Sequence, residues 1–214
     1  MDVATFIEDN ESLLSALAAL AVMLGYFATI GKNFIARIFG SNSKSRKKER
    51  ITLSQLSAPS PHTIQYAQSD NVNIACTVFG QTKPTLIVTP GIISNLHVAS
   101  NLPPIRDTMS ALSSFARVVN FDKRGQGLSD PTSEVASINE RVRDIGCVAG
   151  HTNSEKFFLM GISEGGPMSI KYAVENPERV SGLILFGTTA RFSRTEDFPM
   201  GFTDSTLDSF VDAW

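Results

Sequence analysis

Cysteine and histidine are scarce in this chain, and their scarcity removes whole classes of chemistry. Of 214 residues only two are cysteines and three are histidines. Cys76 and Cys147 stand too far apart in sequence to suggest a metal site, and no cluster of ligating residues appears elsewhere. Cys76 falls on the apolar side of the alternation Val72, Ile74, Cys76, Val78, and Cys147 lies beside the apolar stripe of a predicted helix. Both therefore read as reduced core thiols and not as a disulfide. No dinucleotide fingerprint is present, and "GQGLSD" lacks the strand–helix setting of a phosphate loop, so neither a metal nor an organic cofactor is expected. An excess of positive charge is lacking as well. The formal net charge is −2 and no basic stripe runs through the part expected to fold, which gives no reason to expect a nucleic-acid partner.

What is present is enough apolar material for one core, 42% of residues against 19% charged, and one domain is the expectation. The first fifty residues are of a different kind. From Ser12 to Gly31 no charged residue occurs, a run that as a helix spans about 30 Å, the thickness of a hydrocarbon core. The tail before it, 1–11, carries Asp2, Glu8, Asp9 and Glu11, where a secretory signal would carry lysine or arginine. The reading is a retained transmembrane helix over 12–31. Lys32, Arg37, Lys44, Arg46, Lys47, Lys48 and Arg50 follow it, so the positive-inside rule puts the N-terminus outside and the rest in the cytoplasm. The run "SKSRKKER" is either a solvated linker or a contact for anionic headgroups. The linker occupies 32–61, ends in "SAPSP", and the fold is expected over 62–214.

From His62 onward strands alternate with helices. "HTIQYAQ" and "VNIACTVFG" predict a hairpin turning at "SDN", and "TLIVTPG" a third, buried strand. A helix is predicted from about Asn95 to Phe115, then the strand "RVVNFD". Val135, Ile138, Val142, Ile145 and Val148 recur at helical spacing and predict a helix over 134–150 with that stripe on the sheet. "KFFLM" is a strand, Ser163 to Asn176 a helix, and "SGLILFG" the next strand. This order implies an α/β fold with a mostly parallel sheet flanked by helices.

The chemistry-bearing stretch is "GISEGGP", 161–167. A G-x-S-x-G pattern between a strand and a helix puts its serine on a strained turn, with the hydroxyl exposed. Gly161 and Gly165 let strand and helix pass closely, and Pro167 suits the first helical turn. The helix N-terminus favours negative charge at the serine oxygen. Ser163 is thus the candidate nucleophile.

With "TPGIISNL", "FARVVNFDKRGQGLSD" and "MGISEGGPMSIKYAVENPERV" in order, the chain resembles the α/β-hydrolase superfamily over about 62 to 191. More narrowly it is similar to hydrolase domains found alone or joined to bacterial adenylate cyclase or transcription-regulator domains. The resemblance implies that Ser163 attacks an ester or amide carbonyl of a small molecule. It implies that the backbone N–H groups of Ile92 and Glu164 form the oxyanion hole, although Thr89-Pro90-Gly91 replaces the family's frequent His-Gly. Asp122, Arg124, Gly125, Gly127 and Ser129 match its D-x-R-G-x-G-x-S turn, which braces the site loops; read from the residues alone it is a salt-bridged turn after a strand.

In that family an acid and then a histidine follow the nucleophile. His62, His97 and His151 all precede Ser163, so the acid, the histidine and the last strands are expected beyond residue 214. Asp197, Asp204, Asp208 and Asp212, interleaved with Phe192, Phe198, Phe202, Phe210 and Trp214, read as solvated acids in an apolar cap segment. Three readings follow: a membrane-anchored serine hydrolase of which this chain is a truncated or N-terminal part, a non-catalytic, membrane-tethered module of hydrolase fold that binds a small ligand and signals to a partner domain, or a defective gene product with no stable fold.

Overall fold

The structure is a computed structural model that describes residues 62–81 and 83–212. The helix expected over 12–31 and the basic linker of 32–61 lie outside the described residues. Among the described residues no helix is long and apolar enough to cross a membrane. They fall into two units, divided at Ala190 and Arg191.

The first unit is one six-stranded sheet. Its strands are β1 (Gln65–Ser69), β2 (Val72–Phe79), β3 (Thr85–Thr89), β4 (Arg117–Phe121), β5 (Phe157–Ile162) and β6 (Val180–Phe186), in the spatial order β1-β2-β4-β3-β5-β6. β1 and β2 form the expected antiparallel hairpin, whose turn places Asp70 at φ 54°. β2 lies antiparallel to β4, and β4, β3, β5 and β6 are parallel. All five residues of β3 are buried, as a central strand covered on both faces requires.

Alternation sends the side chains of each strand to two cores. One holds Ile74, Cys76, Ile87, Val119, Phe121 and Leu159, packed under α3 (Ile138–His151) and α4 (Gly165–Glu175). The other holds Phe79, Leu86, Val88 and Val118 under Met109 of α2 (Pro103–Ser113). Each fully buried aliphatic side chain contributes about 1.5–3 kcal/mol. Cys76 is in the first core as expected, and burial pushes its thiol up to about 11. Both cysteines are free.

Two helix boundaries differ from expectation, each for a local reason. The single helix of Asn95–Phe115 is in fact α1 (Leu96–Asn101) and α2, broken at Leu102. Pro103 and Pro104 bring no N–H to a helical ladder, and the residue before a proline is driven to extended angles; Leu102 has φ −81° and ψ 113°. α3 begins at Ile138, not 134. Ser137 accepts from the Glu140 N–H while the Glu140 carboxylate accepts from the Ser137 N–H at 2.8 Å, a reciprocal cap that fixes the start. Val135, counted in the apolar stripe, is 91% exposed.

Among the described residues β6 pairs with β5 alone, and Leu183, Ile184, Leu185 and Phe186 on it are all exposed. The second unit contains a short turn structure and α5 (Asp204–Asp212). Within it Asp197 accepts from Thr195 Oγ1 at 2.6 Å and pairs with Arg191 at 3.2 Å. Asp197, Asp204, Asp208 and Asp212 are exposed, as solvated acids should be.

Candidate active site

Three parallel strands end together where Ser163 stands. β5 runs out at Ile162, α4 starts at Gly165, and the two residues between form the turn. Ser163 has φ 50°, in the left-handed region that costs a non-glycine residue on the order of 1–3 kcal/mol. The turn is held on both sides: the Ser163 N–H donates to the Phe186 carbonyl, and the Gly166 N–H donates to the Ser163 carbonyl, each at 3.0 Å. The side chain is left exposed.

The glycines around it have separate tasks. A Cβ on Gly161 would lie 2.8 Å from both the Gly166 Cα and Ser169 Oγ, so this glycine lets β5 pass under α4. A Cβ on Gly165 would lie 2.4 Å from the carbonyl oxygen of Thr89 and 2.6 Å from that of Pro90. Gly165 therefore admits the end of β3, rather than β5 as the sequence suggested. Thr89 fastens that approach, with Oγ1 at 3.0 Å from the Met160 carbonyl, 3.1 Å from the Gly165 carbonyl and against Ser169 Oγ.

This packing delivers the loop after β3 to the serine. A Cβ on Gly91 would lie 3.4 Å from Ser163 Cβ and 3.9 Å from its Oγ. Ile92 is the next residue, and its carbonyl is fixed by two donors, Gln126 Nε2 at 2.8 Å and Lys123 Nζ at 3.2 Å. Gln126 Oε1 in turn accepts from the Ser94 N–H at 3.0 Å. Lys123 is 2% exposed and also ion-pairs with Glu164, which holds Arg141 on its other carboxylate oxygen. Burial lowers the Lys123 ammonium below its ordinary pKa, and the bond and charge of Glu164 oppose that shift. Lys123, Gln126 and Arg141 belong to the site without any motif in the sequence to single them out. A buried lysine beside an arginine in "DKRG" has no periodicity to mark it.

Asp122 and Arg124 do brace loops, with separate partners. Asp122 Oδ2 accepts the N–H of Leu96 at 3.0 Å and of Leu128 at 2.8 Å, joining the loop before α1 to the turn after β4. Burial raises its carboxyl above the usual range, and these two amide bonds pull it back. A Cβ on Gly127 would collide with Oδ2 at 2.1 Å, and Gly127 has φ 57°. Arg124 makes a two-pronged bond to Asp144, Nε–Oδ2 2.8 Å and Nη2–Oδ1 2.6 Å, with Glu140 at 3.1 Å. The bond to Asp144 raises the guanidinium pKa further. The salt-bridged turn is thus anchored to α3.

No side chain among the described residues hydrogen-bonds the Ser163 hydroxyl. The His62 ring lies 4.1 Å from that of Phe79, His97 is in α1, and His151 is the last residue of α3. His151 precedes β5 whereas Ser163 follows it, so a whole strand of six residues, about 20 Å, separates them. Among the described residues no group of three or more potential metal ligands occurs.

The fold, a mixed sheet with helices on both faces and a strand–serine–helix turn at its carboxyl end, is that of the α/β hydrolases. Residues 113–207 match the family model of the S33 serine aminopeptidases. A probable proline iminopeptidase of Leptolyngbya boryana is 32% identical over 155 residues, covering 72% of this chain and 43% of that protein. Haloalkane dehalogenase 2 of Mycobacterium bovis is 38% identical over 84 residues, covering 39% of this chain and 29% of that protein. Among solved structures, an esterase of Exiguobacterium antarcticum superposes with a TM-score of 0.57 at 25% identity, covering 71% of this chain and 55% of the esterase. The chain belongs to the α/β-hydrolase superfamily. It spans less than half the length of these curated relatives.

Proposed function

We propose that this chain carries the nucleophile half of a serine hydrolase that cleaves a small-molecule ester or amide. Ser163 attacks the carbonyl carbon, the oxygen becomes an oxyanion facing the N–H groups of Glu164 and Ile92, and the leaving group departs to give an acyl-serine. Water then releases the acid. Two donors aimed at the developing charge are worth several kcal/mol in the transition state. The observation that carries this reading is Ser163 itself: exposed, held at φ 50°, and seated against Gly91. A strained residue kept at the mouth of a helix is what a presented nucleophile requires. The proton of Ser163 needs a base, which we assign to a residue outside 62–212.

We further propose that residues 12–31 anchor the protein in a membrane with the hydrolase part on the cytoplasmic side, on the apolarity of that run and the basic residues after it. A second reading, a ligand-binding or signalling module without catalysis, is favoured by one observation, the Ser163 hydroxyl with no base among the described residues. A fluorophosphonate probe applied to the protein in its own membranes separates the two. Labelling that disappears in Ser163→Ala is expected for the hydrolase. No labelling of the wild-type protein overturns it in favour of the binding module.

A further inference from the structure

A second polar feature lies at the other end of the sheet, and no step at Ser163 uses it. Tyr172, on α4, is 2% exposed, and its hydroxyl has no hydrogen-bond partner. A buried phenol left in that state costs stability, so native proteins seldom keep one without use. The phenol lines a groove of about 340 Å³ between α3 and α4. That volume is in the range of small-molecule sites.

On the α3 side of the groove a glycine, Gly146, faces the Tyr172 ring. A Cβ on Gly146 would lie 3.6 Å from Tyr172 Cε2 and 4.0 Å from its Oη, within the space beside the hydroxyl. Gly146 is a helix-interior glycine with negative φ, so its freedom of conformation is not what the position uses. Alanine would serve the helix better.

The charges around the groove favour an anion. Arg179 is fixed by bonds from Nη2 to the Ser154 carbonyl at 3.1 Å and from Nε to the Glu155 carbonyl at 3.4 Å, with the Phe157 ring 5.7 Å from its Cζ. Nη1 takes no part in either bond. Arg143 stands on the α3 side, with Asp70 at 3.1 Å as a solvent-exposed partner. Glu175, the acid of the lining, is neutralised by Lys171 at 2.5 Å. The two guanidinium groups of the lining, Arg179 and Arg143, can only donate, the Tyr172 hydroxyl has a proton to give, and Asn176 completes the polar lining. Val142 and Cys147 supply an apolar wall. Burial keeps the Tyr172 phenol protonated by raising its pKa, and so keeps it a donor.

We propose that the α3–α4 groove binds a small carboxylate with a short hydrocarbon tail, its head accepting from Tyr172 Oη and the guanidinium of Arg179. The site is separate from Ser163. Arg179 bonds to residues that precede β5, whereas Ser163 follows it, and the strand between is six residues, about 20 Å. The inference does not rest on the hydrolase reading.

The test is calorimetric titration of the full 214-residue chain with sodium hexanoate, with hexylamine and inorganic phosphate as comparisons. Saturable binding of hexanoate, at least tenfold tighter than either comparison, is expected. Tyr172→Phe should fold with undiminished stability, since it removes an unpartnered hydroxyl, and should weaken hexanoate about tenfold, the worth of one hydrogen bond to a charged group. Gly146→Ala should raise the melting temperature and weaken hexanoate by at least as much. No binding of hexanoate to the wild-type chain overturns the proposal. So does binding that both variants keep unchanged, and so does phosphate or hexylamine binding equally well.

Discussion

Lys123 and Glu164 form a part-buried ion pair at the serine turn, and the same ammonium bonds the carbonyl of Ile92. One side chain therefore ties the loop after β3 to the turn that carries Ser163. Lys123→Met should leave Glu164 with Arg141 alone and cost about 2 kcal/mol, below the 3–5 of a fully buried broken pair because Glu164 keeps a partner and some solvent. The Ile92 loop should loosen. On the hydrolase reading the rate of fluorophosphonate labelling should fall about tenfold beyond what the stability loss explains, a misplaced oxyanion donor costing that much or more. An unchanged labelling rate would separate Lys123 from the site.

The strain at Ser163 makes a contrast available at one turn. Ser163→Gly should raise the urea midpoint, equivalent to as much as about 1 kcal/mol, because glycine adopts φ 50° without penalty, while abolishing labelling. Gly165→Ala should lower it by about 1–3 kcal/mol, since the added Cβ meets the backbone oxygens of Thr89 and Pro90, which cannot rotate away. Loss of stability in Ser163→Gly would show that the serine is there to hold the turn.

The cap of α3 gives a pH dependence with a definite sign. Bonds from the Ser137 N–H and hydroxyl, helped by Arg124 and Arg143, hold the Glu140 carboxyl below the ordinary glutamate range. A folded-state pKa below the unfolded one means that the stabilisation is full above about pH 4.3 and is lost as pH falls through the lower, folded value. Amide exchange at 138–141 should therefore accelerate below that range in the wild-type chain. Glu140→Gln should exchange faster already at neutral pH and show little further change on acidification.

Deleting 12–31 should move the protein from the membrane pellet to the soluble fraction, because that run is long and apolar enough to span. Retention of the deleted protein after salt and carbonate washing would overturn the anchor. Protease added to intact cells should spare the hydrolase part if the basic flank lies in the cytoplasm.

Much of this fold is legible in the sequence because the signals are local. Alternation in Val72–Val78 predicts β2, although Ala75 and Thr77 on its other face are buried as well, and the pattern around Ser163 predicts the strand–turn–helix that is found. The missed helix start at 138 was marked by Ser137 and Glu140, three apart, and the break at Leu102 by two prolines. What the sequence does not display is pairing across the chain. Nothing near Lys123 indicates Glu164, 41 positions on, and nothing near Gly165 indicates Thr89, 76 positions back. Those partners are set by the strand order β4-β3-β5, which places distant segments side by side.

The shared oxygen of Asp122 fixes an order of assembly. The Leu96 amide finds its acceptor 26 positions later in the chain, and that same oxygen also takes the amide of Leu128. The loop that carries Ile92 cannot settle until β4 has docked and the turn beyond it has closed, although β3 next to it is one of the two central strands. Contacts of such sequence separation form after the entropy of closing the intervening chain has been met. On the ribosome, then, β3 emerges early with the loop that follows it unformed. The loop packed against Ser163 is among the last parts of this unit to take shape.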